Sequence, residues 1–366
     1  MRILSRYVLG AFLVPLGYCL VGFVSIYVMF ELFGSFSRLM EAKLPLGVTM
    51  EYFAAYLAPY FEWLAPAALM LATLYTMWNF CRHSEIVAMR ASGVSFSAIV
   101  RPLLVAALVM AAFVGWVNEC YVPRTAQWAK KLRTARFDLA EVDRADNVVY
   151  CNVRDDRTWT VSRIDGADGH RLTDVRITVN RPGSGTRLKN VVAARAEWLD
   201  GEWWLANPRV QHFDETGREI PSPVPELDAL SLRVFPEFRE RPSDLLAQNR
   251  DWQYNSVRDK RRFIRTHPHL AAEKLREYSY DVWSQLLAPL ACLVITLFAI
   301  PAGIASGRQS VFRGILGALA MFFAFYALSI LCMIAARKGW FPAVPAAVLP
   351  HALFLVIGGI NFHRQR

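Results

Sequence analysis

The 366-residue sequence is 54% hydrophobic and carries 41 Lys and Arg against 31 Asp and Glu, a net charge of +10. Apolar content that high, with a mean hydropathy of +0.24, argues against an ordinary soluble domain. The basic excess would suggest nucleic acid in a soluble chain. No nucleic-acid recognition motif accompanies it here, and much of it sits at the ends of apolar segments, where basic residues orient a membrane protein.

A helix needs about 20 apolar residues to cross the hydrocarbon core of a bilayer. Six segments qualify: Tyr7 to Phe30, Tyr52 to Trp78, Phe96 to Val117, Val282 to Ile300, Gly314 to Ala336 and Phe341 to Phe362. Backbone amides find no partner in lipid, so each is expected to be helical. The first is too long for a signal-peptide core and no small-residue cleavage site follows it, so it reads as a retained span. Pro59 and Pro66 should bend the second. None of the six cysteines has C-x-x-C metal spacing. Cys120 and Cys151 would share the oxidising side and could form a disulfide there. Short loops on one side carry Arg2, Arg6, Arg82, Arg90, Arg308, Arg313, Arg364 and Arg366; those on the other carry only Arg38, Lys43, Arg337 and Lys338. That bias predicts both termini in the cytoplasm and the long central block outside.

Within the central block, Val148 to Val153, Thr158 to Arg163, Val175 to Val179, Val191 to Ala196 and Leu230 to Phe235 read as short strands. Turn signals separate them, among them Asp165-Gly166 and Pro182-Gly183-Ser184-Gly185. Asp200-Gly201, between Trp198-Leu199 and Trp203-Trp204, predicts a type I′ hairpin. Such spacing favours a sandwich or jelly roll. Pro242-Ser243-Asp244 should start a polar helical stretch that runs to Tyr280 with a break near Pro268. The expected architecture is a multi-pass α-helical membrane protein: residues 1–122 form three spans with a loop helix at about 82–95, residues 123–280 a β-jellyroll domain with flanking helical segments, and residues 281–366 three more spans.

Catalytic motifs are missing from the sequence. The nearest approach to a phosphate-binding loop, Gly303 to Ser310, lacks the Lys and the spacing, and reads as a short basic turn. There is no H-E-x-x-H and no G-x-S-x-G. Glu62, an acid inside the second span, either faces a cavity or reaches headgroups at the interface. The loop Arg82 to Ser95 is the most distinctive segment. Ser84 can cap a helix, Glu85 suits its positive end, Gly93 can terminate it, and Ile86, Met89 and Arg90 would share one face. On physics alone this could be an ordinary interfacial helix.

The stretch Ser84-Glu85-Ile86-Val87-Ala88-Met89-Arg90-Ala91-Ser92-Gly93 resembles the S-E-[LI]-x-x-M-x-A-S-G loop of the LptF/LptG family, the permease subunits of the bacterial lipopolysaccharide exporter. Pro59 and Pro66 with Ala67-Ala68-Leu69, Glu119-Cys120-Tyr121-Val122-Pro123 with Arg133, and Ala299-Ile300-Pro301 look like further parts of that family in the same order. The resemblance implies a permease subunit of the inner membrane that pairs with a paralogous subunit and binds a cytoplasmic ABC ATPase dimer. It would pass lipopolysaccharide to periplasmic jellyroll bridge proteins. ATP and Mg would bind the partner ATPase, leaving this chain with no cofactor or metal and no catalytic residue. Glu85, Ile86, Met89, Arg90 and Gly93 would form the ATPase-coupling helix. Arg38, Lys43, Arg133, Arg136 and Glu62 would meet substrate, since Arg grips phosphate with two parallel hydrogen bonds. Each base could equally be solvated or snorkel at the interface. The rival readings are a permease of the same architecture for another lipid or glycan, and a membrane-anchored periplasmic binding or sensor protein. The sensor reading leaves the Glu85 loop without a purpose.

Overall fold

A computed structural model describes residues 2–139, 145–152, 155–166, 169–181, 186–215, 217–220, 232–242, 244–245, 251–266, 271–308 and 311–363. The chain divides into two compact units, Met1–Ala129 with Tyr254–Arg366, and Lys130–Gln253.

The first unit is helical, and the described residues include six spans long and apolar enough to cross a membrane. Helix α1 (Arg2–Ala42) has 41 residues. At 1.5 Å per residue it is roughly 60 Å long, about twice the hydrocarbon thickness, so it runs on beyond the bilayer. The second span is α2 (Leu46–Leu57) and α3 (Phe61–Arg82), separated by a 3-10 turn at Ala58–Tyr60. Pro59 lies in that turn, where its missing N–H interrupts the α-helical ladder, whereas α3 continues through Pro66. A short helix α4 (Glu85–Ala91) leads to α5 (Phe96–Trp116), a π turn at Val117–Tyr121 and α6 (Val122–Thr134). Beyond the inserted unit come α7 (Val257–Thr266) and α8 (Ala272–Leu287). A second 3-10 turn, Ala288–Leu290, joins α8 to α9 (Ala291–Arg308), followed by α10 (Val311–Arg337) and α11 (Ala343–His363). Pro268, the expected break point, lies outside the described residues.

Lipid is as apolar as a leucine side chain, so helices in a membrane associate through close packing and small residues. The second and fourth spans do this most fully: 50% and 56% of their most apolar stretches are buried, against 11% in the first span and 17% in the fifth. Gly303 of α9 permits a close approach to the second span, because a Cβ there would lie 2.7 Å from Met77 Cβ and 3.1 Å from the Leu74 carbonyl oxygen. Leu69, Met77, Ile99, Leu103 and Ile300 are buried around this centre, while Phe30, Phe33, Phe323 and Leu331 of the first and fifth spans point outward.

The second unit is an antiparallel sheet whose strands largely follow chain order. Its strands are β1 (Ala145–Asn152), β2 (Arg157–Asp165), β3 (Arg171–Asn180), β4 (Arg187–Leu199), β5 (Glu202–Ala206), β6 (Arg209–Phe213), β7 (Glu219–Ile220) and β8 (Leu232–Val234). The long strand β4 pairs with β6 along Lys189 to Val192 and with β5 along Arg195 to Leu199. The β4–β5 hairpin turns at Asp200 and Gly201, with φ of 52° and 84°, and brings Leu199 opposite Glu202 as a two-residue I′ turn requires. Of the expected strand from Leu230, the structure describes Leu232 onward; Leu230 and the Pro182 to Gly185 turn lie outside the described residues. Trp159, Val161, Val175, Ile177, Val191, Trp203 and Leu205 fill the core. The segment after β8 closes over it. Phe238 packs edge-on to Trp159 at 5.5 Å, and the Trp203 Nε1–H donates to the Glu240 carbonyl at 2.6 Å. Among the described residues no two cysteines are joined in a disulfide.

Candidate functional site

The loop between the second and third spans is built as a compact plug. Ser84 takes a left-handed conformation, φ 57°, and its hydroxyl makes no capping bond; its carbonyl instead accepts the Ala88 N–H at 3.0 Å. At the other end Gly93, φ 86°, closes α4 with paired bonds, Gly93 N–H to Arg90 O at 3.0 Å and Val94 N–H to Met89 O at 3.1 Å. This is the glycine-terminated ending that the sequence predicts. Ile86 is buried and Met89 half-buried against a core built from the first four spans, so these two side chains seat the helix. Val87, Ala88, Arg90 and Ala91 are exposed on the outward face. Glu85 is half-buried, and its Oε2 accepts the Tyr7 hydroxyl of α1 at 2.8 Å. A carboxylate accepts several hydrogen bonds, so Tyr7 fixes Glu85 while leaving capacity for a further donor.

At the opposite ends of the second and third spans lies a cluster of buried polar groups. The π turn directs Asn118 toward the second span, where its Nδ2 donates to Glu62 Oε2 at 2.7 Å. The next residue, Glu119, accepts the Val257 and Arg258 backbone N–H groups at 2.9 and 3.4 Å and so caps α7. Ser256 and Asp259 complete the cap, with Ser256 Oγ 2.9 Å from the Asp259 carboxylate and 3.1 Å from its N–H. Lys260 is buried, and its Nζ donates to Gln285 Oε1 at 2.6 Å. Burial pushes the Lys260 ammonium below its ordinary range, opposed by the charges of Asp281, Glu62 and Glu119. Glu62 thus belongs to an internal network that ties two spans together.

The bases predicted to meet substrate occupy two places. Arg38 lies exposed near the end of α1, and Lys43, φ 47°, stands just beyond it. Arg133, half-buried, and Arg136, exposed with φ 52°, lie at the end of α6 in the second compact unit. Glu31 lies beyond the expected end of the first span, yet α1 continues through it and buries it. Ser35 and Tyr52 both donate to Glu31 Oε1, at 2.8 and 2.7 Å, which fastens α1 to α2. The local signal for Glu31 is the serine four residues on, one turn along the same face of α1. Also unforeseen is an apolar cavity of about 570 Å³ between the first, second and fifth spans, lined by Val14, Tyr18, Leu71, Tyr75, Trp78 and Ile315 among others.

Six spans, a β insert after the third and a seated loop helix between the second and third can be set beside known proteins. A family profile described as lipopolysaccharide export system permease LptF/LptG matches residues 6–364. The chain belongs to the LptF/LptG family. No curated protein matches it significantly. Membership covers both membrane blocks and the inserted sheet, and makes the chain a membrane protein of a lipopolysaccharide-export permease family. Of the six spans the first and fifth are the least buried, an apolar cavity lies beside them, and the loop helix exposes Val87 and Arg90.

Proposed function

We propose that this chain is one of two paralogous permease subunits of an ABC transporter. The transporter takes lipopolysaccharide from the outer leaflet of the inner membrane and passes it to periplasmic jellyroll bridge proteins. In this reading both termini and α4 are cytoplasmic, the sheet is periplasmic, and this chain catalyses nothing: a separate cytoplasmic ATPase dimer hydrolyses ATP. The first and fifth spans, with their exposed apolar faces, meet the paralogous subunit and the acyl chains. The cavity beside Tyr18 and Trp78 suits acyl chains because it is almost wholly apolar. Arg38, Lys43, Arg133 and Arg136 hold substrate phosphates and acidic sugars, and Glu62 keeps the second and third spans in register.

The observation that carries this reading is the seating of α4. Ile86 and Met89 fix it to the transmembrane core, Glu85 ties it to α1, and Val87 and Arg90 are left facing outward. A rigid lever of this kind can pass motion from a docked ATPase to the spans. The experiment is affinity purification of the full chain from its own membrane, followed by mass spectrometry of proteins and bound lipid. An ATPase, a second six-span subunit and lipopolysaccharide should appear together. Recovery of the chain with a different lipid or glycan, or with no ATPase, refutes the assignment.

A further inference from the structure

Helix α7 carries a charge pattern that the proposed transport path does not use. Its ten residues, V-R-D-K-R-R-F-I-R-T, include five bases and one acid. Lys260 is buried and Val257, Phe263 and Ile264 are half-buried, whereas Arg258, Arg261, Arg262 and Arg265 are exposed. The inner face is fastened to α8 at three levels. Lys260 Nζ meets Gln285 at 2.6 Å, the Arg261 guanidinium lies 5.5 Å from the Trp283 ring, and Phe263 packs edge-on to Tyr278 at 6.0 Å. Chain position rises along α7 as it falls along α8, so the two helices run antiparallel side by side.

This register sets the depth of the arginines. The apolar run of the fourth span begins at Val282, beside Trp283, and Trp is the residue that settles at a headgroup interface. The first turn of α7 is level with Trp283 and Gln285, which places Arg258 and Arg261 at headgroup height. Arg265 stands up to roughly 10 Å farther out. The cap from Glu119 and the bonds of Lys260 hold the helix in place, so the guanidinium groups are presented as a fixed row rather than as a loose basic tail. Glu119 lies 3.7 Å from the Arg258 guanidinium, whose side chain is nevertheless 91% exposed.

We propose that Arg258 and Arg261, with the charge of Arg265 behind them, bind the phosphate of an anionic glycerophospholipid in the leaflet on the side of the inserted domain and hold the first turn of α7 at the bilayer surface. The ligand class follows from charge complementarity at headgroup depth. A guanidinium matches a phosphodiester with two parallel hydrogen bonds, and a row of bases near an anionic leaflet gains attraction from each charge.

The test uses the full chain in nanodiscs that contain a photoactivatable phosphatidylglycerol or a photoactivatable phosphatidylcholine. Chymotryptic peptides are then mapped by mass spectrometry. Phosphatidylglycerol should label peptides from residues 257–266 at least about fivefold more than phosphatidylcholine. Substituting Arg258→Gln, Arg261→Gln and Arg265→Gln together should bring labelling down to the phosphatidylcholine level, while the corresponding triple Arg→Lys variant keeps most of it. Millimolar inorganic phosphate should leave the labelling intact. Equal labelling by the two lipids in the unsubstituted chain overturns the proposal without relying on any variant. So does full labelling of the Gln variant, or loss of labelling to inorganic phosphate, which would mark a site for free anions.

Discussion

Glu85 offers two physical roles that can be separated by substitution. Its Oε2 accepts the Tyr7 hydroxyl at 2.8 Å, an anchoring bond between the loop helix and α1. Tyr7 is 51% exposed, so solvent weakens that bond, and losing it in Tyr7→Phe should cost about 1 kcal/mol or less. If Glu85 also meets a base on the ATPase, that pair forms at an interface that excludes water, and removing the charge costs about 2–5 kcal/mol. Glu85→Gln keeps an acceptor for Tyr7 but removes the charge. The expected outcome is therefore asymmetric. Glu85→Gln should weaken ATPase binding by roughly 30-fold or more, whereas Tyr7→Phe should weaken it by less than about fivefold. Glu85→Lys sets a base against the partner's base and should abolish assembly with protein level unchanged. The assay is titration of purified ATPase against the chain and its paralogous partner in nanodiscs, read by a fluorescent label. Equal, small effects of Glu85→Gln and Tyr7→Phe would refute docking through Glu85 and leave only the anchor.

Gly303→Ala puts a methyl 2.7 Å from Met77 Cβ and 3.1 Å from a fixed backbone oxygen, so it should destabilise the bundle by about 1–3 kcal/mol, seen as a lower thermal midpoint in detergent. Glu119→Ala strips the cap from the first two N–H groups of α7; it should cost about 1–2 kcal/mol locally and speed hydrogen exchange across residues 257–266, with the inserted sheet unaffected. For Lys260 the folded state holds its proton less tightly than the unfolded chain, because burial outweighs the pull of Asp281, Glu62 and Glu119. Between the lowered value and the ordinary 10.5 the unfolded chain binds more protons, so this residue makes stability rise with pH. The difference in thermal midpoint between Lys260→Met and the unsubstituted chain should shift in the latter's favour as pH climbs through that window; a constant difference contradicts it.

The spans were legible because lipid enforces long apolar runs. The extent of α1 was not, since Glu31, Ser35 and Arg38 ended its apolar run while the helix continued. Glu31 can lie inside only because Ser35 and Tyr52 satisfy it, and Tyr52 comes from the next helix, which no local pattern announces. Asp200-Gly201 was legible because its backbone conformation depends on those two residues alone. Gly93 was legible for the same reason, but Ser84 was not: its left-handed backbone places the hydroxyl away from the helix N–H groups, so capping passes to the carbonyl. Ile86, Met89 and Arg90 were expected on one face, and the tertiary core divides them by taking the first two and leaving Arg90 outside. The π turn at Val117–Tyr121, which lets Asn118 and Glu119 serve different partners, has no sequence signal of its own. Ser256 and Asp259, by contrast, form a capping pair that could have been read from their spacing.

The proposed activity of this chain is to move lipopolysaccharide when a separate ATPase drives it. The most direct measurement places the chain, its paralogous partner and the ATPase in proteoliposomes loaded with lipopolysaccharide, and follows the transfer of photo-crosslinkable lipid to a soluble jellyroll acceptor. Transfer should require ATP and all three proteins, and should fall to background with Glu85→Lys. Transfer that proceeds without the ATPase, or an assembly that hydrolyses ATP but delivers no lipopolysaccharide while delivering another lipid, would contradict the account.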